Sequence, residues 1–226
     1  MAILVYKQRF KPPNRKNTAE LNAAHVEYIA TRPRVYLDRD GEHGLFSNVT
    51  SDLDEAKRLI REKSKERKNI YRAIISFSRD TADNLELASK AEWEMFLKAH
   101  VRRLAEGNEI RWENFRWFAA AHNEGDHPHV HVIFWDDAQT VMKNFVPPDV
   151  PNGIRVQLIR EVFGEQLREL EQRNMTFDLA LEVLAALNKS DNDARHKMSL
   201  AFGRDLSKQA KREKAIEARG RGEWEG

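Results

Sequence analysis

Apolar and polar residues alternate roughly between Ile3 and Phe10 before the breaker run KPPN, which predicts a first strand over 2–10 and then a loop. The period then changes. From Thr18, a residue able to cap a helix, Leu21, Ala24, His25, Tyr28 and Ile29 recur at three- and four-residue spacing until Pro33 stops the pattern at Arg32. Tyr28 thus falls near the C-terminal end of this helix, and His25 and Arg32 share its side. After Ser51, residues 52–68 predict a charged amphipathic helix, and YRAIISFS at 71–78 predicts a central strand. Residues 82–106 are rich in helix formers and set Leu85, Ala88, Trp93, Phe96, Leu97 and Val101 along one side, which predicts one long helix covering the sheet.

FRWFAAAH at 115–122 and HVHVIFW at 129–135 supply two further strands. The connection NEGDHP contains the Gly, Asp and Pro that turns use, so an antiparallel hairpin is expected. A fifth strand is expected in RVYLD, residues 34–38. Beyond the breaker cluster VPPDVPNG, helices are expected at 154–172, 176–188 and 193–218, the last highly charged, with the closing GRGEWEG disordered. This organisation suggests a main domain over 1–175 and a charged helical extension over 176–226. There is no internal repeat.

Of the 226 residues, 41% are hydrophobic and 33% charged, enough apolar material for a substantial core and against disorder as the default. No run of eighteen apolar residues occurs, and MAILVYKQRF is too short and too soon charged for a secretory signal. The expectation is a cytoplasmic protein without membrane insertion. Cysteine is absent, which excludes thiol nucleophiles, cysteine zinc sites and disulfides, so any transition-metal site must be built from His and carboxylates. A net charge of +2 hides a division: 57–72 and the tail after Lys189 lean basic, whereas 80–137 leans acidic around its histidines. That pattern suits a cation held in one place and phosphates in another.

The histidines carry the sharpest chemical signal. Strand alternation points His129 and His131 the same way, roughly 6.6 Å apart along the strand, with Val130 and Val132 on the other face. The hairpin brings His122 alongside to complete three imidazoles. Three His ligands leave open positions on a metal, as catalytic sites require. Asp126 and Glu124 in the connecting loop are candidates to fix an imidazole tautomer or to add a fourth ligand, and His127 is read as a loop residue pointing away. Imidazoles alone favour Mn²⁺, Zn²⁺ or Ni²⁺, while phosphate and water oxygens would admit Mg²⁺. Mn²⁺ or Mg²⁺ is the expected ion, with Zn²⁺ or Ni²⁺ as alternatives.

HNEGDHPHVHVIFW resembles the metal motif of the HUH endonucleases, in which two histidines flank a hydrophobic residue on a central strand. Within that superfamily, the third His seven residues upstream and the Pro before the pair are similar to Mob-type relaxases. AAHVEYIATR is similar to the nucleophile helix of MobL- and MobP-like relaxases, where a Tyr precedes the metal motif. The resemblance spans roughly residues 1–170, and none is assigned to the helical tail.

The resemblance implies an α+β fold, with a five-stranded antiparallel sheet, flanking helices, C-terminal helices and an N-terminal Tyr brought over the metal. It also implies metal-dependent, site- and strand-specific DNA nicking and rejoining at a transfer origin. Tyr28 would form a 5′-phosphotyrosyl intermediate. His25 could assist the phenol or act as nucleophile itself, as His does in some Mob-type relatives. Arg32, and more weakly Arg34, could hold a phosphate. The implied partners are single-stranded DNA, auxiliary relaxosome proteins and a type IV coupling protein, with the chain a monomer. Trp112, Trp117 and Trp224 are candidate stacking platforms, the tail at 195–221 a candidate clamp, and Tyr6 a further tyrosine able to face the site. Rolling-circle initiators and single-tyrosine transposases share the histidine pair but typically carry their Tyr after it, and no Tyr follows His131. A non-catalytic DNA-binding protein with a structural metal is the alternative from another class.

Overall fold

The computed structural model describes residues 3–11, 18–38, 40–138, 145–172 and 176–187. Within them, β1 (Val5–Lys11), β2 (Leu45–Ser47), β3 (Ile70–Ser76), β4 (Phe115–His122) and β5 (His129–Asp136) form one sheet in the order β1-β3-β5-β4-β2. Every neighbouring pair is antiparallel. The helices are α1 (Thr18–Thr31), α2 (Leu53–Lys65), α3 (Arg79–Asn84), α4 (Lys90–His100), α5 (Arg102–Gly107), α6 (Asp149–Val162), α7 (Gly164–Glu171) and α8 (Phe177–Leu187). The fold is therefore α+β, and the two longest described strands, β4 and β5, are joined as a hairpin within the sheet.

Both faces of the sheet are covered, and alternation assigns the residues. Trp117, Ala119 and Ala121 of β4, with Val130, Val132 and Phe134 of β5, join a large core shared with Trp93 and Leu97 of α4, Leu104 of α5 and Leu158 of α6. Ala180 and Leu184 of α8 are buried in that same core. The alternate residues Phe118, Ala120, Ile133 and Trp135 meet Val26 and Ile29 of α1 and Ile60 of α2 in a smaller core. Each fully buried large side chain contributes about 1.5–3 kcal/mol from removal of its surface from water. β5 is buried along its whole length, on both faces, which accounts for the consecutive apolar residues Val132, Ile133, Phe134 and Trp135.

Four expectations change. The fifth strand is Leu45–Ser47, paired with 118–120 of β4, whereas RVYLD contributes one isolated bridge, Val35 to His122. The two segments cross so closely that a Cβ at Gly44 would lie 2.2 Å from Val35 Cγ2 and 2.6 Å from the Tyr36 carbonyl oxygen. The helix expected over 82–106 is three helices. Ser78 and Ser89 cap α3 and α4 by accepting from the Thr81 and Glu92 N–H groups, and Glu86 between them takes a φ of 56°, which a continuing helix cannot. The helix expected over 52–68 is shorter: α2 starts at Leu53, capped by Asp52, and ends at Lys65. The helix expected at 154–172 starts earlier, at Asp149, and divides at Phe163. The helix expected at 193–218, the tail at 195–221, Trp224 and the closing GRGEWEG all lie outside the described residues. No described helix is long and apolar enough to cross a membrane.

Candidate metal and nucleophile site

The register of the sheet sets the first geometry. His122 stands directly opposite His129 across the β4–β5 ladder, and His131 opposite Ala120. Antiparallel partners share a face, so all three imidazoles project to the side covered by α1. Their ring centroids are 4.9, 5.0 and 5.2 Å apart. One ligand nitrogen from each lies within 4.8 Å of the others, and all three residues are buried. This group contains no carboxylate.

Backbone carbonyls orient two of the rings. His122 Nε2 lies 2.7 Å from the Ile29 carbonyl oxygen and His129 Nδ1 lies 3.0 Å from that of His127. Donation by those nitrogens leaves lone pairs on His122 Nδ1 and His129 Nε2. His122 Nδ1 is buried and has no hydrogen-bond partner among the described residues. An unpaired buried acceptor costs about 1–3 kcal/mol unless something satisfies it, and a divalent cation would. His131 Nε2 accepts from Arg32 at 3.4 Å. Burial, then the positive charge of His131, His129 and Arg32, hold the His122 pKa well below its ordinary value, against the opposing Ile29 contact. The ring is kept neutral, the form that binds metal. The residues fit a divalent ion.

α1 supplies the wall above the histidines. Arg32 is 5% exposed at its side chain; its Nη1 lies 3.5 Å from the Tyr28 hydroxyl and 3.4 Å from His131 Nε2, and its Nη2 pairs with Glu124 Oε2 at 2.7 Å. The Arg32 guanidinium carbon also stands 5.5 Å from the Tyr28 ring centroid. His25 stacks with Tyr28 at 6.3 Å and meets His131 edge-on at 6.4 Å. His25 is buried, whereas Tyr28 is half-buried. Helical spacing of three and four thus gathers His25, Tyr28 and Arg32 around one ring of β5.

The remaining candidates fall elsewhere. Glu124 meets the cluster through Arg32. Asp126 is exposed, and its carbonyl accepts from the Arg79 N–H at 2.8 Å. For two of the three rings, the orienting role expected of these acids is taken by backbone carbonyls. Arg34 is exposed with a φ of 69°, and its carbonyl accepts from the Asn123 N–H. His127 is buried rather than turned to the surface. Of the four tyrosines, Tyr6 lies in the large core on the opposite face, its pKa pushed well up by burial; Tyr71 stacks on Phe134 at 5.0 Å; and Tyr36 donates to the Leu87 carbonyl. Trp117 is buried in the core, which removes it as a stacking platform, while Trp112 is exposed.

Arg79 is a residue that sequence reasoning missed. From α3 it donates to the Asn123 side chain and to the Gly125 carbonyl, pinning the loop that carries Glu124. No local pattern marks it, because its partners lie 44 and 46 residues away.

A family model described as MobL relaxases matches the chain over residues 3–218. The match runs past residue 170 and into the helical tail, for which the motifs alone offered no resemblance. No curated protein and no solved structure matches the chain.

Proposed function

The chain belongs to the MobL relaxase family, and we propose that it nicks and rejoins one DNA strand at a transfer origin by HUH-type chemistry, with Tyr28 as nucleophile. The observation that carries this reading is the shared guanidinium of Arg32, in reach of both the Tyr28 hydroxyl and the His131 ring. A tyrosine from the N-terminal helix and an imidazole trio from mid-sheet are thereby neighbours.

The Tyr28 oxygen attacks the scissile phosphorus, the bond from phosphorus to the 3′-oxygen breaks, and a 5′-phosphotyrosyl linkage forms. The phenol proton leaves to solvent, and the departing 3′-oxygen takes one up. Rejoining reverses these changes, because the linkage conserves the phosphodiester bond. A phenol has a pKa of about 10, so its reactive form must be favoured by nearby positive charge. Arg32 donates toward that oxygen and can also neutralise a non-bridging phosphate oxygen. Glu124 holds Arg32 in place from the hairpin loop. His122, His129 and His131 would hold the divalent ion, Mn²⁺ or Mg²⁺, which when bound supplies Lewis-acid withdrawal of charge from the phosphate. His25 is the more deeply buried of the two α1 candidates, which favours Tyr28 for direct attack and His25 for support of the phenol.

The test is covalent capture. Incubation with an origin-containing single-stranded oligonucleotide and Mn²⁺ should yield a protein–DNA adduct that Tyr28→Phe reduces to background while Mn²⁺ binding persists. An adduct that survives Tyr28→Phe and vanishes with His25→Ala would move the nucleophile to His25. Failure of the wild-type chain to cleave any such strand with added metal would leave the structural-metal alternative.

A further inference from the structure

The loop that joins β4 to β5 carries Glu124, yet it is fastened from outside the hairpin. Asn123, Gly125 and Asp126 are exposed, Glu124 is half-buried, and Gly125 takes a φ of 55°. Little packing fixes such a stretch, so polar contacts must. The Asn123 N–H donates to the Arg34 carbonyl at 2.8 Å, just past the end of α1. From the start of α3, Arg79 Nη2 donates to Asn123 Oδ1 and, at 2.6 Å, to the Gly125 carbonyl. The Arg79 N–H donates to the Asp126 carbonyl at 2.8 Å. These contacts flank Glu124 on both sides along the chain.

What they hold in place is an ion pair of unequal partners. The Arg32 side chain is 5% exposed and that of Glu124 32%, with Nη2 and Oε2 2.7 Å apart. A buried guanidinium that loses its carboxylate is strongly unfavourable, whereas a glutamate on an unsupported loop gives up backbone and rotamer freedom to supply one. The pair therefore depends on a loop that is already ordered. Arg79 is suited to order it. Its Nη1 lies 3.8 Å from Asp83 of the same helix, so both terminal nitrogens face protein groups. The start of α3 is itself anchored, since Ser78 accepts from the Thr81 N–H and the Phe77 N–H donates to the Pro128 carbonyl at the far end of the loop.

We propose that Arg79 is a positioning residue for strand cleavage: by clamping Asn123 and Gly125 it sets Glu124, which sets Arg32 against the Tyr28 hydroxyl and His131. The inference rests on the DNA-nicking reading above and brings into that reaction a side chain from α3. Misplacing a group that serves the reacting atoms by about 1 Å costs on the order of a hundredfold in rate, and a residue two contacts removed should cost about tenfold.

The test is a double-mutant cycle on covalent adduct formation with an origin-containing single-stranded oligonucleotide and Mn²⁺. Arg79→Ala keeps the backbone bond to Asp126 and should slow the rate at saturating oligonucleotide about tenfold. The half-saturating oligonucleotide concentration and the Mn²⁺ affinity should stay within about twofold. Arg79→Lys, which still donates from the same place, should recover most of the rate. Asn123→Ala opens the clamp from the loop side and should match the loss in Arg79→Ala. In a Glu124→Gln background, Arg79→Ala should add less than about twofold, because the contact through which it acts is already weakened. Losses that multiply to about a hundredfold overturn the proposal, as does an Arg79→Ala variant that reacts at the wild-type rate. A raised half-saturating concentration with an unchanged saturated rate also overturns it and makes Arg79 a DNA contact. Those failures leave the nicking reading standing, whereas a wild-type chain that forms no adduct sinks that reading and this role with it.

Discussion

β4 and β5 serve two different environments with alternate residues. Toward α4, α5 and α6 they present Trp117, Ala119, Ala121, Val130, Val132 and Phe134, an unbroken carbon surface. Toward α1 they begin alike, with Phe118, Ile133 and Trp135 against Ile29 and Ile60, then change to His122, His129 and His131 at the hairpin end. Carbon contacts are interchangeable in direction, so the first face tolerates any well-filled packing. Imidazoles are not: each buried nitrogen needs a partner with the right angle, or its desolvation counts against folding. The histidines are found where such partners exist, beside the Ile29 carbonyl in the last turn of α1, the loop carbonyl of His127 and the Arg32–Glu124 pair. One face is carbon along its length, and the buried imidazoles occupy one end of the other.

The contrast can be broken by exchanging consequences between the faces. His131→Ala should lower Mn²⁺ affinity more than about a hundredfold, above the usual loss for an outer-shell partner, and abolish nicking, as read by calorimetric titration and strand cleavage. Phe134→Ala, three residues along and on the other face, should cost about 3–5 kcal/mol in urea denaturation while the folded fraction keeps its Mn²⁺ affinity. If Phe134→Ala removed metal binding, the two faces would not be separable. Glu124→Gln sharpens the picture within the polar end. It keeps the shape but loses the charged contact to Arg32, so nicking should slow roughly tenfold with Mn²⁺ affinity nearly intact. An equal loss of metal affinity would instead make Glu124 a ligand.

The smallest expected effect is on pH dependence. The folded His122 pKa is depressed, so the unfolded chain takes up its proton first as pH falls. Stability from this residue is complete above the ordinary imidazole value and is lost as pH drops from there toward the depressed one. The metal-free thermal midpoint should therefore fall between about pH 7.5 and about pH 5.5, and His122→Gln should flatten that decline. An equally steep decline in the variant would assign the acid sensitivity to other groups.

Much of this was legible in the residue order. The alternation of HVHVIFW separated histidines from valines, the NEGDHP turn implied the hairpin, and three- and four-residue spacing put His25, Tyr28 and Arg32 on one stripe. Those inferences hold because each depends on the local period alone. The readings that shifted depended on something else. The long helix at 82–106 was broken by serine caps and a left-handed Glu86 that its helix-forming composition outweighed on paper. RVYLD has strand composition, but the close crossing at Gly44 gives the ladder to Leu45–Ser47 instead. His127 and Trp117 looked like possible surface residues, and burial is a property of what packs against them.

Sequence by itself determined which side chains share a face, because strand and helix periods are set by backbone sterics. It also excluded cysteine chemistry and held every tyrosine ahead of the metal motif. Tertiary structure decided which of those faces meet. Only the packing of α1 across the hairpin end puts Ile29's carbonyl on His122 and Arg32 between Tyr28, His131 and Glu124, contacts that span up to 99 residues of chain. Such pairings are chosen by the summed burial of two cores, and no local period records them.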